Sequence, residues 1–153
     1  MVARRISKAA VIGMGMMGSQ LAEILALGKI EVAAVDATDE LVKQGVRGID
    51  ARLERFLVSK GKMSPEEKAA AMGRIRGFTA IEEAVREIDF AIEAVPERML
   101  LKKDVFQKMD KHAPQDAVLA SNTSFQNISE MASATARPER VVGMHFFNPV
   151  NRM

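Results

Sequence analysis

The chain has 153 residues, enough for one domain with a sound apolar core and too few for a large second one. Its 22 Lys+Arg against 20 Asp+Glu leave a net charge of +2 with no basic cluster, which excludes a nucleic-acid footprint; the absence of cysteine and the presence of only 2 histidines exclude disulfides and cysteine-based metal sites. No apolar run approaches the ~18 residues of a membrane span and the N-terminus lacks a secretory leader's apolar core, so the expectation is a soluble cytoplasmic protein with no membrane or nucleic-acid partner and no metal.

Ala9 to Ile12 reads as a strand, followed by Gly13, Gly15 and Gly18 in a G-x-G-x-x-G spacing. A helix with Met17, Leu21, Ile24 and Leu25 at apolar spacing comes next, then a second strand from Val32 to Val35, and then Asp36. This is a βαβ unit of the usual length. Gly13 lets the chain leave the strand sharply, Gly15 lets backbone amides approach a pyrophosphate, and Gly18 lets the helix pack on the strand. Unpaired amides and the helix dipole then make an anion cradle. A carboxylate at Asp36 can accept both ribose hydroxyls of an adenosine and would repel a 2′-phosphate, which favours NAD over NADP. The alternative is an ordinary glycine turn with Asp36 capping a helix; the strand before the motif and the helix after it favour the cradle.

Leu41 to Lys60 predicts one long amphipathic helix, with Val42, Val46, Ile49, Leu53, Phe56 and Leu57 on its inner face and Gly61 as its stop. Ser64-Pro65-Glu66-Glu67 carries a helix start, with Ser64 as N-cap, and the second helix runs to about Met72. An antiparallel helical hairpin is thus inserted at about 41–73. Lys60 and Lys62 in its turn are candidates to meet a phosphorylated ligand, against the blander reading of a solvated hairpin. Alternation then resumes: strand Ile75 to Phe78, short helix Ala80 to Arg86, buried strand Asp89 to Val95, helix Leu100 to Lys111, strand Ala117 to Ala120, short helix Asn127 to Ala132, and strand Val141 to Phe147. The fold class is α/β, a Rossmann-type, mostly parallel sheet with helices on both faces and an inserted helical hairpin, in one domain over 1–153.

Four polar sets fall at the C-terminal rim where open α/β sheets hold ligands: the glycine turn, Glu97 after Pro96, the Ser121 to Ser124 turn, and His145 with Asn148. Oxidising an alcohol with a nicotinamide needs a base for the hydroxyl proton and a donor for the oxygen. His145 and Ser124 are the candidates. A histidine near a strand end is, by itself, more often structural. His112, at a helix end, reads as a partner of the helix C-terminus without a catalytic part. A non-catalytic NAD-binding or regulatory module on the same fold stays open, because fold does not fix function.

The residues resemble the 3-hydroxyacyl-CoA dehydrogenases over essentially the whole chain. VIGMGMMGSQ is similar to that family's NAD fingerprint, EAVPERMLLKKDVF to its central strand-helix segment, and ASNTS with GMHFFNPVNRM to its two substrate-side motifs. The likeness is greatest to the bacterial fatty-acid oxidation forms, including the dehydrogenase part of their multifunctional subunit. It implies NAD as cofactor, an acyl-CoA substrate, His145 as general base, and Ser124 as the serine that meets substrate oxygen and cofactor. It places Gly13, Gly15, Met17, Gly18, Asp36, Val95, Pro96, Glu97, Lys102, Asn122 and Asn148 at the NAD site. It makes the hairpin the cover of the acyl-CoA, with Lys60 and Lys62 near its phosphates, although Arg52 and Ser59 stand where the family often has Ser and Lys. In the family an acid about twelve positions beyond the histidine orients the imidazole, and a C-terminal helical domain follows; neither falls within this chain. The resemblance therefore implies an N-terminal NAD-binding domain, weak turnover by the chain alone, and full-length relatives that are homodimers or multienzyme subunits.

Overall fold

In the computed structural model, residues 5–152 are described; Met153, the last residue of the motif quoted above, lies outside them. Six parallel strands form one sheet in the order β3-β2-β1-β4-β5-β6. They are β1 (Lys8–Ile12), β2 (Glu31–Val35), β3 (Ile75–Phe78), β4 (Phe90–Glu93), β5 (Val118–Ser121) and β6 (Val141–Gly143). The helices are α1 (Met16–Leu27), α2 (Asp39–Leu53), α3 (Pro65–Met72), α4 (Ile81–Ala84), α5 (Met99–His112) and α6 (Ile128–Ala132). The order reverses between β1 and β4, where consecutive crossovers run to opposite sides and strand ends splay to leave a crevice.

The central strands are apolar on both faces because both are covered. Ala9 and Val11 pack with Leu21, Ala22, Ile49 and Leu53 from α1 and α2. Ala10 and Ile12 face the other way, against Val105, Phe106 and Met109 of α5. Thr38 caps α2 by accepting from Leu41 N at 3.3 Å. Ser64 and Glu67 form the expected reciprocal capping box at the start of α3, with Pro65 in its first turn.

Three elements differ from the sequence reading; the simplest is β4, read as Asp89 to Val95, which stops at Glu93 where the Val95 amide turns back to donate to the Glu93 carboxylate. The single helix expected over Leu41 to Lys60 is α2 followed by a π-helical turn, Glu54–Val58, closed by Ser59 N donating to Glu54 O at 2.9 Å. The wider turn keeps Leu57 against the core and rotates Phe56 outward to 39% exposure, so Phe56 is not an inner-face residue. The last strand is shorter than Val141 to Phe147. Its partner β5 ends at Ser121, whose carbonyl accepts the last ladder bond from Met144 N at 2.8 Å; His145 to Phe147 have no strand left to pair with and leave the sheet. No helix among the described residues is long and apolar enough to cross a membrane.

Candidate active site

The glycine turn follows from steric limits at three positions. Gly13 has φ +94°, its amide donates to Val35 O at 2.8 Å, and a Cβ there would meet the Ala94 carbonyl oxygen at 2.9 Å. A Cβ on Gly18 would sit 1.7 Å from the Gly13 carbonyl oxygen, so α1 can lie on the turn only with glycine there. Gly15 meets nothing within 4 Å and faces open space. As N-cap of α1 it supplies no side-chain acceptor, and the first turn holds no acidic residue, leaving the amide end of the helix open to an anion.

These strand ends enclose a cleft of about 640 Å³. The glycine turn with Met17 forms one wall, and Ser124 and His145 line the same cleft. Asp36, Val95, Pro96, Glu97, Lys102, Asn122 and Asn148 line it as well. Gly18 is buried beneath, against the turn it supports. Asp36 is half-buried; one carboxylate oxygen accepts from Met14 N at 2.7 Å and the other from Ala37 N at 2.6 Å. Each oxygen keeps a second lone pair, so the carboxylate is aimed by the backbone and still able to accept from a ribose.

Ser124 Oγ lies 3.1 Å from His145 Nε2. Both residues are exposed to the cleft, and the imidazole stands 4.6 Å from the Phe147 ring, centroid to centroid, at 45°. The two loops that carry them are tied together, since Asn122 Oδ1 accepts from Phe146 N at 2.9 Å. Glu97 holds the serine loop from below, accepting from Thr123 Oγ1 at 2.8 Å and from Ser124 N at 3.2 Å. Asn148 is fixed by Gln20, whose amide donates to Asn148 Oδ1 at 2.9 Å while its own oxygen accepts from Val150 N at 2.9 Å. The arrangement can pass a proton from a hydroxyl in the cleft to the imidazole while the serine hydroxyl holds the oxygen.

Lys60 and Lys62 are not among the residues that line this cleft. The Lys60 ammonium sits 5.6 Å from the centre of the Phe56 ring. Arg52 is engaged with α1, donating to Glu23 Oε2 at 2.6 Å and to Ser19 Oγ at 3.2 Å, and Ser59 reaches Glu54 at 3.5 Å. Sequence reasoning missed Glu93 and Gln20, and it placed Ser121 with the rim turn, where the structure has it closing β5 against Glu93. Glu93 and Ser121 are 0% exposed at the ends of β4 and β5. The signal was a charged and a hydroxyl residue closing otherwise apolar strands, which burial makes informative. Among the described residues no group of three or more His, Cys, Asp or Glu could hold a metal.

The family model described as 3-hydroxyacyl-CoA dehydrogenase, NAD binding domain, matches residues 8–153. The chain belongs to this family. It is 40% identical over 146 residues to the 3-hydroxybutyryl-CoA dehydrogenase of Clostridioides difficile, covering 95% of the chain and 51% of that protein. It is 36% identical over 153 residues to the glyoxysomal fatty acid beta-oxidation multifunctional protein MFP-a of Brassica napus, covering 21% of it. The solved (S)-3-hydroxybutyryl-CoA dehydrogenase of Ralstonia eutropha superposes with a TM-score of 0.92 at 36% identity, over 97% of this chain and 52% of that one. The chain therefore spans from about a fifth to about half of these relatives' length. Its cofactor is the NAD of the family's description, and the site fits that group: glycine where a Cβ would collide, open amides at a helix start, and a fixed carboxylate at the end of β2.

Proposed function

We propose that this chain supplies the cofactor site and the proton-accepting base of a 3-hydroxyacyl-CoA dehydrogenase of the fatty-acid β-oxidation type. The observation that carries the reading is the 3.1 Å contact between Ser124 Oγ and His145 Nε2 in the cleft that also holds the glycine turn. A module that only sensed the dinucleotide would need neither group. In the proposed reaction the 3-hydroxyl proton passes to His145 Nε2 as the C3 hydrogen leaves with its electron pair, giving the 3-ketoacyl-CoA. NAD, when bound, supplies the hydride acceptor. Ser124 donates to the substrate oxygen and so lowers the cost of charge developing there. Asp36 holds the adenosine ribose, the open amides of α1 hold the pyrophosphate, and Met17, Val95, Pro96, Glu97, Lys102, Asn122 and Asn148 shape the rest of the groove. Lys60 and Lys62, on the exposed hairpin turn, are placed by this reading near the phosphates of the acyl-CoA. A cytoplasmic setting belongs to the same reading.

Calorimetry of the chain with NADH tests the cofactor half. NADH should bind, and Asp36→Ala should weaken it about tenfold or more, because two hydrogen bonds to a charged acceptor are lost. His145→Ala should leave NADH affinity within about twofold while removing whatever turnover of acetoacetyl-CoA the parent chain shows. Absence of NADH heats in the parent chain overturns the reading. Turnover that survives His145→Ala overturns the assignment of the base.

A further inference from the structure

Below the proposed reacting pair lies a buried ionic network centred on Glu93, to which the proposed reaction assigns no part. Glu93, the last residue of β4, is 0% exposed. Its carboxylate accepts from Lys102 Nζ at 2.8 and 2.9 Å, from Val95 N at 3.0 Å, and from the Ser121 hydroxyl. Lys102 reaches in from α5, is 1% exposed, and also lies 3.3 Å from Val95 O and 3.5 Å from a Glu97 oxygen. Glu97 accepts from Thr123 Oγ1 and Ser124 N, while Ser121 Oγ accepts from Thr123 N at 3.2 Å.

Two routes therefore run from Glu93 to the Thr123–Ser124 turn. One passes through Lys102 and Glu97, the other through Ser121. The first ends on Thr123 Oγ1 and the Ser124 amide, the second on the Thr123 amide, in the turn whose Ser124 hydroxyl meets His145. Burying a carboxylate and an ammonium at this depth carries a desolvation cost that an apolar pair of like volume would avoid. Fold stability alone thus gives no reason for a glutamate closing the run Phe90-Ala91-Ile92.

We propose that Glu93 is a positioning residue: it fixes Lys102 and, through Glu97 and Ser121, holds the Thr123–Ser124 turn so that the Ser124 hydroxyl faces His145. The electrostatic logic is specific. With Glu93 ionised, the Lys102 ammonium is matched in the core and Glu97 is left to accept from the turn. Without that charge the ammonium recruits the Glu97 carboxylate 3.5 Å away and draws it off Ser124 N and Thr123 Oγ1. The catalytic meaning of this rests on the reading of Ser124 and His145 as the reacting pair; the positioning itself does not.

The test is nitrogen-15 NMR of the 153-residue chain without ligand, in mildly alkaline solution where imidazole is neutral. Glu93→Gln keeps the shape and removes the charge. Glu93→Leu combined with Lys102→Met replaces the pair with apolar groups and keeps a folded comparison available. In Glu93→Gln because the ammonium draws Glu97 away, and in the double variant because Ser121 loses its acceptor and Glu97 the ammonium beside it, the Thr123 and Ser124 amides should exchange about tenfold faster or more, and the His145 ring-nitrogen shifts should move toward those of Ser124→Ala. Amides of β1, β4 and β5 should keep their protection within about twofold. Unchanged His145 shifts in both variants overturn the proposal. So does loss of protection spread evenly through the core, or failure of both variants to fold, since Glu93 would then be supporting the fold and not the pair. NADH titration of the same parent sample reports separately on the proposed function, so absent binding would remove that reading and leave the positioning result standing.

Discussion

Gly15 and Gly18 share one motif and have opposite steric surroundings. Gly18→Ala would drive a methyl group into the Gly13 carbonyl oxygen, 1.7 Å from the ideal Cβ position, and backbone cannot yield as a flexible side chain can. Denaturant unfolding should show a loss of about 3 kcal/mol or more, at or beyond the upper end of ordinary overpacking costs. Gly15→Ala meets nothing within 4 Å, so stability should change by no more than about 1 kcal/mol, the cost of alanine at an N-cap. Its methyl group would instead stand in the cleft, and calorimetry should find NADH weakened. Equal stability losses in the two variants would contradict this division of roles. The motif was legible in sequence because its spacing carries this geometry. The buried layer beneath the same cleft was not: Glu93 stands in a run that reads as a buried strand, and only burial with Lys102 and Ser121 shows that its charge is matched.

Elements were legible where local chemistry and tertiary packing agree. Ile75 to Phe78 forms β3 as read, and the Ser64 capping box opens α3 as read, because pattern and cap act within a few residues. The π-helical turn after α2 and the early end of β6 depend on what lies across from them, which periodicity does not carry. Arg137 is a similar case, since in sequence it is a loop arginine. In the fold it closes the C-terminal end of α5, donating from Nε to Asp110 Oδ1 at 2.7 Å, from Nη2 to the Asp110 and Ala113 carbonyls at 2.8 and 3.3 Å, and to the Pro114 carbonyl. Its side chain is 6% exposed and that of Asp110 14%. Arg137→Ala should cost about 2–3 kcal/mol in denaturant unfolding, because it removes the charged donor from the part-buried Asp110 carboxylate, which keeps only the Ala136 amide, and from the Asp110 and Ala113 carbonyls at the helix end. A loss below about 1 kcal/mol would show that water satisfies that helix end instead.

At the scale of the whole chain, binding and turnover should separate. The cofactor groove is built from elements this chain contains: the glycine turn, the end of β2 with Asp36, and the strand ends beside them. The pair proposed to react, Ser124 and His145, is less fully supported. Among the described residues, Ser124 is the hydrogen-bond partner of His145, and no carboxylate is bonded to the imidazole to select its tautomer or to stabilise the charge it gains. Both groups also face an open cleft, where water competes for the substrate oxygen. We expect the 153-residue chain to bind NADH yet turn over acetoacetyl-CoA slowly, about a hundredfold or more below a dehydrogenase whose histidine is paired with an acid. The informative measurement is steady-state oxidation of NADH alongside calorimetry on one preparation. Slow turnover with intact binding places the deficit in support of the base. Turnover at the rate of such an enzyme would mean that the contact with Ser124 is by itself enough to orient His145 for proton transfer.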